Sequence, residues 1–137
     1  MEDKVFIDTN IFVYSILQDD KTGKSIKSNQ LLENMQEKII ISTQVINEYY
    51  NTLLKYKIEE SLIQSYILGI LDEAVLSIIQ METIYRSWEI RKKHKYSYYD
   101  CLIIASALEN QCSILYSEDM QNGQLIEDKL KIKNPFL

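Results

Sequence analysis

The stretch Val5-Phe6-Ile7-Asp8-Thr9-Asn10 joins a short apolar run to an abrupt polar end. Val5-Phe6-Ile7 contains no polar residue, so it predicts a buried strand of a parallel sheet, because a half-exposed strand would alternate polar and apolar residues. Residues 11–17 then predict a short helix, with Thr9 or Asn10 as its cap. Asp8 therefore lies at the carboxyl end of the first strand, directly before a helix.

Short apolar runs and helical patterns alternate along the rest of the chain. Residues 39–41, 74–79 and 113–116 predict further strands, and residues 129–133 predict a last, edge-like strand. Apolar residues at helical spacing mark five further segments, at residues 25–37, 43–57, 59–73, 81–94 and 97–110. This order predicts an α/β fold in which right-handed crossovers build a parallel sheet covered by helices on both faces.

The length and composition predict a single domain over residues 1–137, with enough apolar residues for one core. No apolar stretch approaches the length of a transmembrane helix, and the first residues do not form the pattern of a signal peptide. We therefore expect a cytoplasmic protein without a membrane partner. Cys101 and Cys112 match no zinc-binding spacing, and we expect two buried free thiols. The net charge of −5 excludes a generally basic coat for nucleic acid, but not a nuclease whose acids surround a cation.

Four of the twenty acidic residues occupy positions where a parallel sheet gathers its ligands. Ligands of open α/β sheets bind beyond the carboxyl ends of the strands. Asp8 follows the first predicted strand, Glu48 lies in the helix after the second, and Asp119 follows the fourth. Asp100 lies in the first turn of the apolar helix that precedes the fourth strand.

Each of these acids, taken alone, also has a structural explanation. Asp8 can cap the next helix, Glu48 can be a solvated residue on a polar stripe, and Asp119 can belong to a turn. Ser97-x-x-Asp100 before an apolar run matches a capping box. A carboxylate at the margin of the core is nevertheless costly without a positive partner, and a cation would remove that cost.

Taken together, four carboxylates at one edge repel each other unless a cation lies among them. Mg²⁺ and Mn²⁺ bind carboxylate oxygens, keep several waters, and can hold a phosphate for hydrolysis. The single histidine, His94, leaves no histidine pair for RNA cleavage within one chain. We predict a metal site with Asp8 and Asp100 as main ligands, which Glu48 and Asp119 complete directly or through water.

Four segments containing these acids resemble the PIN-domain family and, within it, the VapC-like toxin branch. The segments are Val5-Phe6-Ile7-Asp8-Thr9-Asn10, Ser42-Thr43-Gln44-Val45-Ile46-Asn47-Glu48-Tyr49, Tyr98-Tyr99-Asp100-Cys101-Leu102-Ile103-Ile104-Ala105-Ser106-Ala107 and Leu115-Tyr116-Ser117-Glu118-Asp119-Met120. They occur in the family's order and span nearly the whole chain. The ending Lys131-Ile132-Lys133-Asn134-Pro135-Phe136 is also similar.

The resemblance implies a three-layer α/β/α sandwich and a Mg²⁺- or Mn²⁺-dependent endoribonuclease, with tRNA as one candidate substrate. The family's acidic pattern corresponds to Asp8, Glu48, Asp100 and Asp119. At the last position Asp119 is preferred to its neighbour Glu118. Thr9 and Ser117 match hydroxyl positions that support the acids. Proteins of this branch are toxins of type II toxin–antitoxin pairs, which implies a small antitoxin as partner and a homodimer.

Two other sequence patterns contain residues that can bind phosphate. Thr22-Gly23-Lys24-Ser25 resembles the end of a phosphate-binding loop, but position 18 is Gln18 instead of glycine and no strand precedes it, so a capped helix start is predicted. The basic run around Arg91, Lys92 and Lys93 can be a solvated helix end or a contact for RNA phosphates. In the second case a nearby tyrosine would stack on an unpaired base.

Two alternative functions remain open from the sequence. The chain can be a PIN-like binding or scaffold module with little or no nuclease activity, which metal affinity would reveal. It can also be a DNA-directed nuclease of related fold, which competition between RNA and DNA substrates would reveal.

Overall fold

The computed structural model describes residues 3–18 and 21–137, and within these ranges six strands form one sheet. In chain order the strands are β1 (Lys4–Ile7), β2 (Lys38–Ser42), β3 (Ala74–Ser77), β4 (Ile114–Tyr116), β5 (Leu125–Ile126) and β6 (Leu130–Lys133). Their order across the sheet is β3-β2-β1-β4-β6-β5, and all neighbours are parallel except β5 and β6. The predicted α/β class with a mainly parallel central sheet is confirmed.

Helices connect these strands at nearly every crossover. They are α1 (Thr9–Ile16), α2 (Lys24–Glu33), α3 (Thr43–Lys55), α4 (Glu60–Glu73), α5 (Met81–Lys93) and α6 (Tyr98–Glu109). Helix α3 buries Val45, Tyr49 and Leu53, which recur every four residues and form one apolar face. Helix α6 is buried continuously over residues 101–107, as expected for a helix that is apolar nearly all round.

The chain changes direction across the sheet between β1 and β4. Strands β1, β2 and β3 progress towards one edge, and the connection through α5 and α6 then returns to β4 on the other side of β1. Right-handed crossovers place α1–α4 on one face and α5 and α6 on the other. Ile7 pairs with Tyr116, so the chain leaves β1 and β4 side by side. A reversal of this kind opens a crevice at the carboxyl ends of the strands, where ligands bind in such folds.

The start of α1 differs from the prediction. Its cap is Asp8, not Thr9 or Asn10, because the helix already begins at Thr9. Asp8 Oδ1 accepts a hydrogen bond from the Thr9 N–H at 2.7 Å. Apolar spacing located the helix only from Ile11, since residues of the first turn need no apolar side chain.

The prediction that the last strand lies at the sheet edge is wrong. β5 pairs antiparallel with β6 and takes the edge instead. Glu127 and Asp128 both have positive φ, of 52° and 57°, and the Lys129 N–H donates to the Ile126 carbonyl at 3.0 Å. This is the arrangement of a type I′ turn, which usually contains asparagine or aspartate followed by glycine. The Glu-Asp pair gave no such signal in the sequence.

The core lies around the central strand, where Val5, Phe6 and Ile7 have no exposed surface. Cys101 and Cys112 are buried free thiols, as predicted. Among the described residues, no helix has both the length and the apolar character needed to cross a membrane.

Candidate acidic active site

The four acids predicted from the sequence lie around the carboxyl ends of β1, β2 and β4. Asp8 follows β1, Glu48 lies in the second turn of α3, Asp100 in the first turn of α6, and Asp119 shortly after β4. The carboxylates are close enough for their charges to raise the pKa of two of them. The charges of Glu48 and Asp100 raise the pKa of Asp8, and those of Asp119 and Glu48 raise the pKa of Asp100. Elements far apart in the chain thus bring four carboxylates to one crevice.

Asp8 is the buried member of the group, with 6% of its surface exposed. Its Oδ1 caps α1, and its Oδ2 accepts a hydrogen bond from the Ser117 hydroxyl at 2.9 Å. Burial raises the pKa of Asp8 from 3.8 to about 7, and the charges of Glu48 and Asp100 add to the rise. The hydrogen bonds from Ser117 and Thr9 act in the opposite direction but do not compensate. Ionised Asp8 is therefore expensive unless a cation lies nearby.

Glu48 is held by neutral donors on both carboxylate oxygens. The Thr9 hydroxyl donates to Oε2 at 3.0 Å, and Gln44 Nε2 donates to Oε1 at 2.6 Å. Gln44 Nε2 also donates to the Tyr99 carbonyl at 3.0 Å, which ties α3 to the first turn of α6. These contacts fix the direction of the Glu48 carboxylate without supplying a positive charge.

Asp100 and Asp119 form the more open side of the crevice. The Asp100 N–H donates to Ser97 Oγ at 3.2 Å, so Ser97 caps α6 as predicted. Asp119 Oδ2 accepts from Asn10 Nδ2 at 3.1 Å, and its backbone N–H donates to Ser117 Oγ at 3.3 Å. Partial burial raises the pKa of both carboxyls; for Asp100 the nearby charges of Asp119 and Glu48 contribute as well.

The neighbouring acids Glu118 and Asp119 have different surroundings. Glu118 Oε1 forms an ion pair with Lys24 Nζ at 2.5 Å, so its charge is already balanced within the chain. Asp119 instead hydrogen-bonds to Asn10, which is two residues from Asp8. This difference supports Asp119 as the acid that faces the crevice.

The donor set fits a hard divalent cation. Carboxylate oxygens are the preferred ligands of Mg²⁺ and Mn²⁺, and a cation would relieve the burial of Asp8 and the mutual repulsion. In residues 3–18 and 21–137, however, no three potential ligand side chains already converge at coordination distance. The arrangement is open, which suits an ion that keeps several waters and uses only one or two carboxylates directly.

The basic run ends α5 beside this region. Arg91, Lys92 and Lys93 are exposed in its last turn. The Arg91 guanidinium donates to the Tyr96 carbonyl, one residue before the cap of α6. Lys93 lines a hollow of about 250 Å³ that also includes Gln121, two residues beyond Asp119. Lys93 thus lies near the segment that follows Asp119, and Arg91 lies near the segment that precedes α6.

Sequence reasoning missed two supporting residues, Asn10 and Gln44. Gln44 precedes Glu48 by four residues, so the two share a helix face, and this spacing could have indicated the contact. The contact of Asn10 joins residues 109 apart in sequence, and nothing local predicts it. The segment Thr22-Gly23-Lys24-Ser25 begins α2 and forms no strand-to-helix phosphate loop, in line with the prediction.

Comparisons with known proteins show the family and the fold. The model of the PIN domain matches residues 5–121, and the chain belongs to the PIN-domain family. Nucleases of this family generally use divalent metal ions. A search of curated protein sequences found no match.

Solved structures show the same fold at low sequence identity. The VapC20 toxin of Mycobacterium tuberculosis, a sarcin–ricin loop cleaving toxin, has a TM-score of 0.70 and 18% identity over 84% of this chain and 89% of its own. A toxin–antitoxin complex from Klebsiella pneumoniae has a TM-score of 0.73 and 20% identity over 96% and 97%. VapBC2 from Rickettsia felis, bound to a promoter DNA fragment, has a TM-score of 0.67 and 20% identity over 96% and 99%.

Proposed function

We propose that this protein is a metal-dependent endoribonuclease that hydrolyses RNA phosphodiester bonds and acts as the toxin of a type II toxin–antitoxin pair. The observation that carries the proposal is the crevice in which the four acids, Asp8, Glu48, Asp100 and Asp119, meet at the reversal between β1 and β4. A buried aspartate with three further carboxylates around it and no cation partner among the described residues is costly for a structural role alone.

In this proposal, Asp8 and Asp100 are the main ligands of a Mg²⁺ or Mn²⁺ ion, and Glu48 and Asp119 complete its surroundings directly or through water. When bound, the ion provides an activated water and neutralises charge on the phosphoryl group. Asp8 is suited to the central position because its two hydrogen bonds fix it at the end of a rigid, buried strand.

The residues around the acids orient them. Ser117 fixes Asp8, Thr9 and Gln44 fix Glu48, and Asn10 fixes Asp119. Each of these side chains donates to a carboxylate oxygen and carries no charge, so it directs lone pairs towards the crevice without competing with a cation. The basic run with Arg91, Lys92 and Lys93 would hold RNA phosphates on the open side.

The partners follow from the likeness to toxins of known complexes. Two of the similar structures are toxin–antitoxin complexes, one of them bound to promoter DNA. For this chain we propose a small antitoxin protein as inhibitor and a homodimer as the active form. Co-expression with the small protein encoded by an adjacent reading frame, followed by size-exclusion chromatography, tests both.

The decisive experiment is RNA cleavage by purified protein. Total RNA and a tRNA pool are incubated with Mn²⁺ or EDTA, beside the Asp8→Asn and Asp100→Asn variants. Asp72→Asn is the matched control, because Asp72 is an exposed aspartate on α4. We expect cleavage by the wild type and the control only, abolished by EDTA.

Two negative results have different meanings. Cleavage that persists in Asp8→Asn and Asp100→Asn overturns the assignment of the site. Absence of cleavage together with absence of Mn²⁺ binding in titration calorimetry overturns the nuclease and favours a binding module. A parallel single-stranded DNA substrate separates an RNA-directed from a DNA-directed enzyme.

A further inference from the structure

A second cleft lies beside the acids and shares Glu48 with them. It has a volume of about 500 Å³ and lies between α3, the first turns of α6 and the end of β3. Its lining consists of Thr43, Gln44, Asn47, Glu48, Asn51, Ile79, Tyr99 and Leu102. The volume is in the range of sites that hold small organic groups, roughly 300–1,000 Å³.

The most exposed aromatic side chain in residues 3–18 and 21–137 lines this cleft. Tyr99 is 65% exposed, and its ring contacts only the edge of the Tyr98 ring among aromatic neighbours, at 5.6 Å between centroids. The face of a tyrosine ring is a large apolar surface, and covering it with a flat partner is favourable. Unpaired bases of RNA are commonly stacked on such rings.

The polar lining of the cleft consists of amides. Asn47 and Asn51 are one turn apart on the exposed face of α3, and neither makes a side-chain hydrogen bond to the described part of the chain. An amide group presents one acceptor and two donors, the pattern that matches the edges of nucleobases. Ile79 and Leu102 add apolar surface on which a flat ring can rest.

Gln44 connects this cleft to the acid site. Its Nε2 donates to both Glu48 and the Tyr99 carbonyl, so its amide orientation is determined by two acceptors. Its Oε1 is buried and lacks a partner among the described residues. A buried acceptor without a partner is costly, and the two hydrogen bonds that Nε2 donates offset that cost. Through Gln44, Tyr99 is held at a fixed distance from Glu48.

We propose that this cleft is a nucleobase pocket that binds one unpaired RNA base next to the phosphate to be cut. Tyr99 stacks on the base, and Asn47 and Asn51 contact its edge. This inference rests on the proposed nuclease function and adds a source of sequence preference to it. Because Glu48 belongs to both sites, a base in the cleft places its neighbouring phosphate beside the acids.

The test measures binding separately from cleavage. Fluorescence anisotropy in EDTA compares two single-stranded pentaribonucleotides, one complete and one abasic at the central position. Both carry the same phosphates, so electrostatic repulsion from the acidic protein cancels in the ratio of affinities. We expect the complete strand to bind roughly fivefold to 100-fold more tightly, the usual effect of stacking one base.

Variants test whether the ratio of affinities for the complete and the abasic strand depends on the cleft. Tyr99→Ala is expected to bring the ratio close to one, and Tyr99→Phe to preserve it, because phenylalanine keeps the stacking face. Tyr56→Ala is the matched control, since Tyr56 is 57% exposed and does not line the cleft. A further set of strands carries A, C, G or U at the central position. The double variant Asn47→Ala and Asn51→Ala should bind these four strands with equal affinity and should still bind them more tightly than the abasic strand.

The outcomes separate this inference from the nuclease itself. Equal binding of complete and abasic strands by the wild type, or an unchanged ratio in Tyr99→Ala, overturns the pocket. The same strands are then incubated with Mn²⁺. Cleavage without a base preference keeps the nuclease and rejects the pocket. A Tyr99-dependent preference in a protein that neither cleaves RNA nor binds Mn²⁺ keeps the pocket and rejects the nuclease. Cleavage at one phosphate next to the preferred base supports both.

Discussion

The four acids of the crevice and two acids outside it, Glu118 and Glu127, have different partners. Glu118 pairs with Lys24 and Glu127 pairs with Arg86, each at 2.5 Å. In the described part of the chain, Asp8, Glu48, Asp100 and Asp119 pair with no cation and accept hydrogen bonds only from neutral groups. Glu118 and Glu127 thus each contact a cation within the chain, whereas the four acids at the reversal of the sheet have no ion-pair partner among the described residues.

The difference indicates where an external cation is needed. An ion pair at the surface is worth little, but it removes the repulsion between like charges. At the crevice the chain has used hydroxyl and amide donors, which orient carboxylates and leave the net negative charge in place. A divalent ion would supply the missing charge. Four predictions test this contrast, in order of decreasing expected effect.

The sharpest contrast is between the neighbours Asp119 and Glu118. Asp119→Asn is expected to lower kcat/KM for RNA cleavage by more than about 100-fold, because it removes a carboxylate that faces the crevice, while even outer partners of metal ligands cost 10–100-fold. Glu118→Gln should change it by less than about threefold, since its charge is balanced by Lys24. Rates with Mn²⁺ in excess measure both. A larger loss in Glu118→Gln would exchange the roles of these two acids.

The supporting hydroxyls should have an intermediate effect. Thr9→Val and Ser117→Ala are expected to weaken Mn²⁺ binding by about 10–100-fold, because Glu48 and Asp8 lose the donors that orient them. Titration calorimetry measures the affinity. Ser113→Ala is the control, since Ser113 is exposed at the start of β4 and donates only to a backbone carbonyl. Equal affinities in all variants would mean that these contacts have no role in metal binding.

The cost of burying Asp8 should be visible in the stability of the metal-free protein. Its pKa rises from 3.8 to about 7 on folding, so the folded state holds a proton that the unfolded state has lost. Stability of the wild type should therefore fall as the pH rises from about 4 to 7 and stay low above. Asp8→Asn removes this contribution to the pH dependence of stability, because asparagine does not ionise.

We expect Asp8→Asn in EDTA to match the wild type near pH 4 and to exceed it by about 1–2 kcal/mol at pH 8, because an amide is cheaper to bury than a charge. Urea unfolding at several pH values measures the difference. A variant less stable than the wild type at pH 8 would show that the Asp8 carboxylate stabilises the metal-free fold, which contradicts the expected cost of burying it.

The smallest effect concerns the basic end of α5. Replacing Lys92 and Lys93 by glutamine should weaken RNA binding and reduce the slope of log affinity against log salt by about one, since each phosphate contact on a single strand contributes roughly 0.7. Binding is measured between low and moderate salt with the Asp100→Asn protein, to prevent cleavage. The double variant of Lys55 and Lys129, both exposed and outside this run, is the control. An unchanged slope would exclude the run from the RNA path.

Much of the fold could be predicted from local patterns. The wholly apolar run Val5-Phe6-Ile7 indicated a buried strand of a parallel sheet, and the apolar character of α6 indicated its burial on most sides. Local patterns failed where geometry depends on a partner strand. The β5–β6 hairpin was missed because its turn contains Glu127 and Asp128 at positive φ, and a Glu-Asp pair is not a usual sequence for such a turn.

The sequence by itself determined the class of fold, the four acids and the resemblance to the PIN family, because strand ends and helix starts are local features and carboxylates at them are visible in the chain. Only the tertiary structure decided that Glu118 is balanced by Lys24, that Asn10 reaches Asp119, and that Gln44 joins Glu48 to Tyr99. Such contacts depend on the register between β1 and β4 and on the first turns of α3 and α6 meeting at the carboxyl edge of the sheet. A side chain's charge balance is set by neighbours that the fold, not the sequence order, provides.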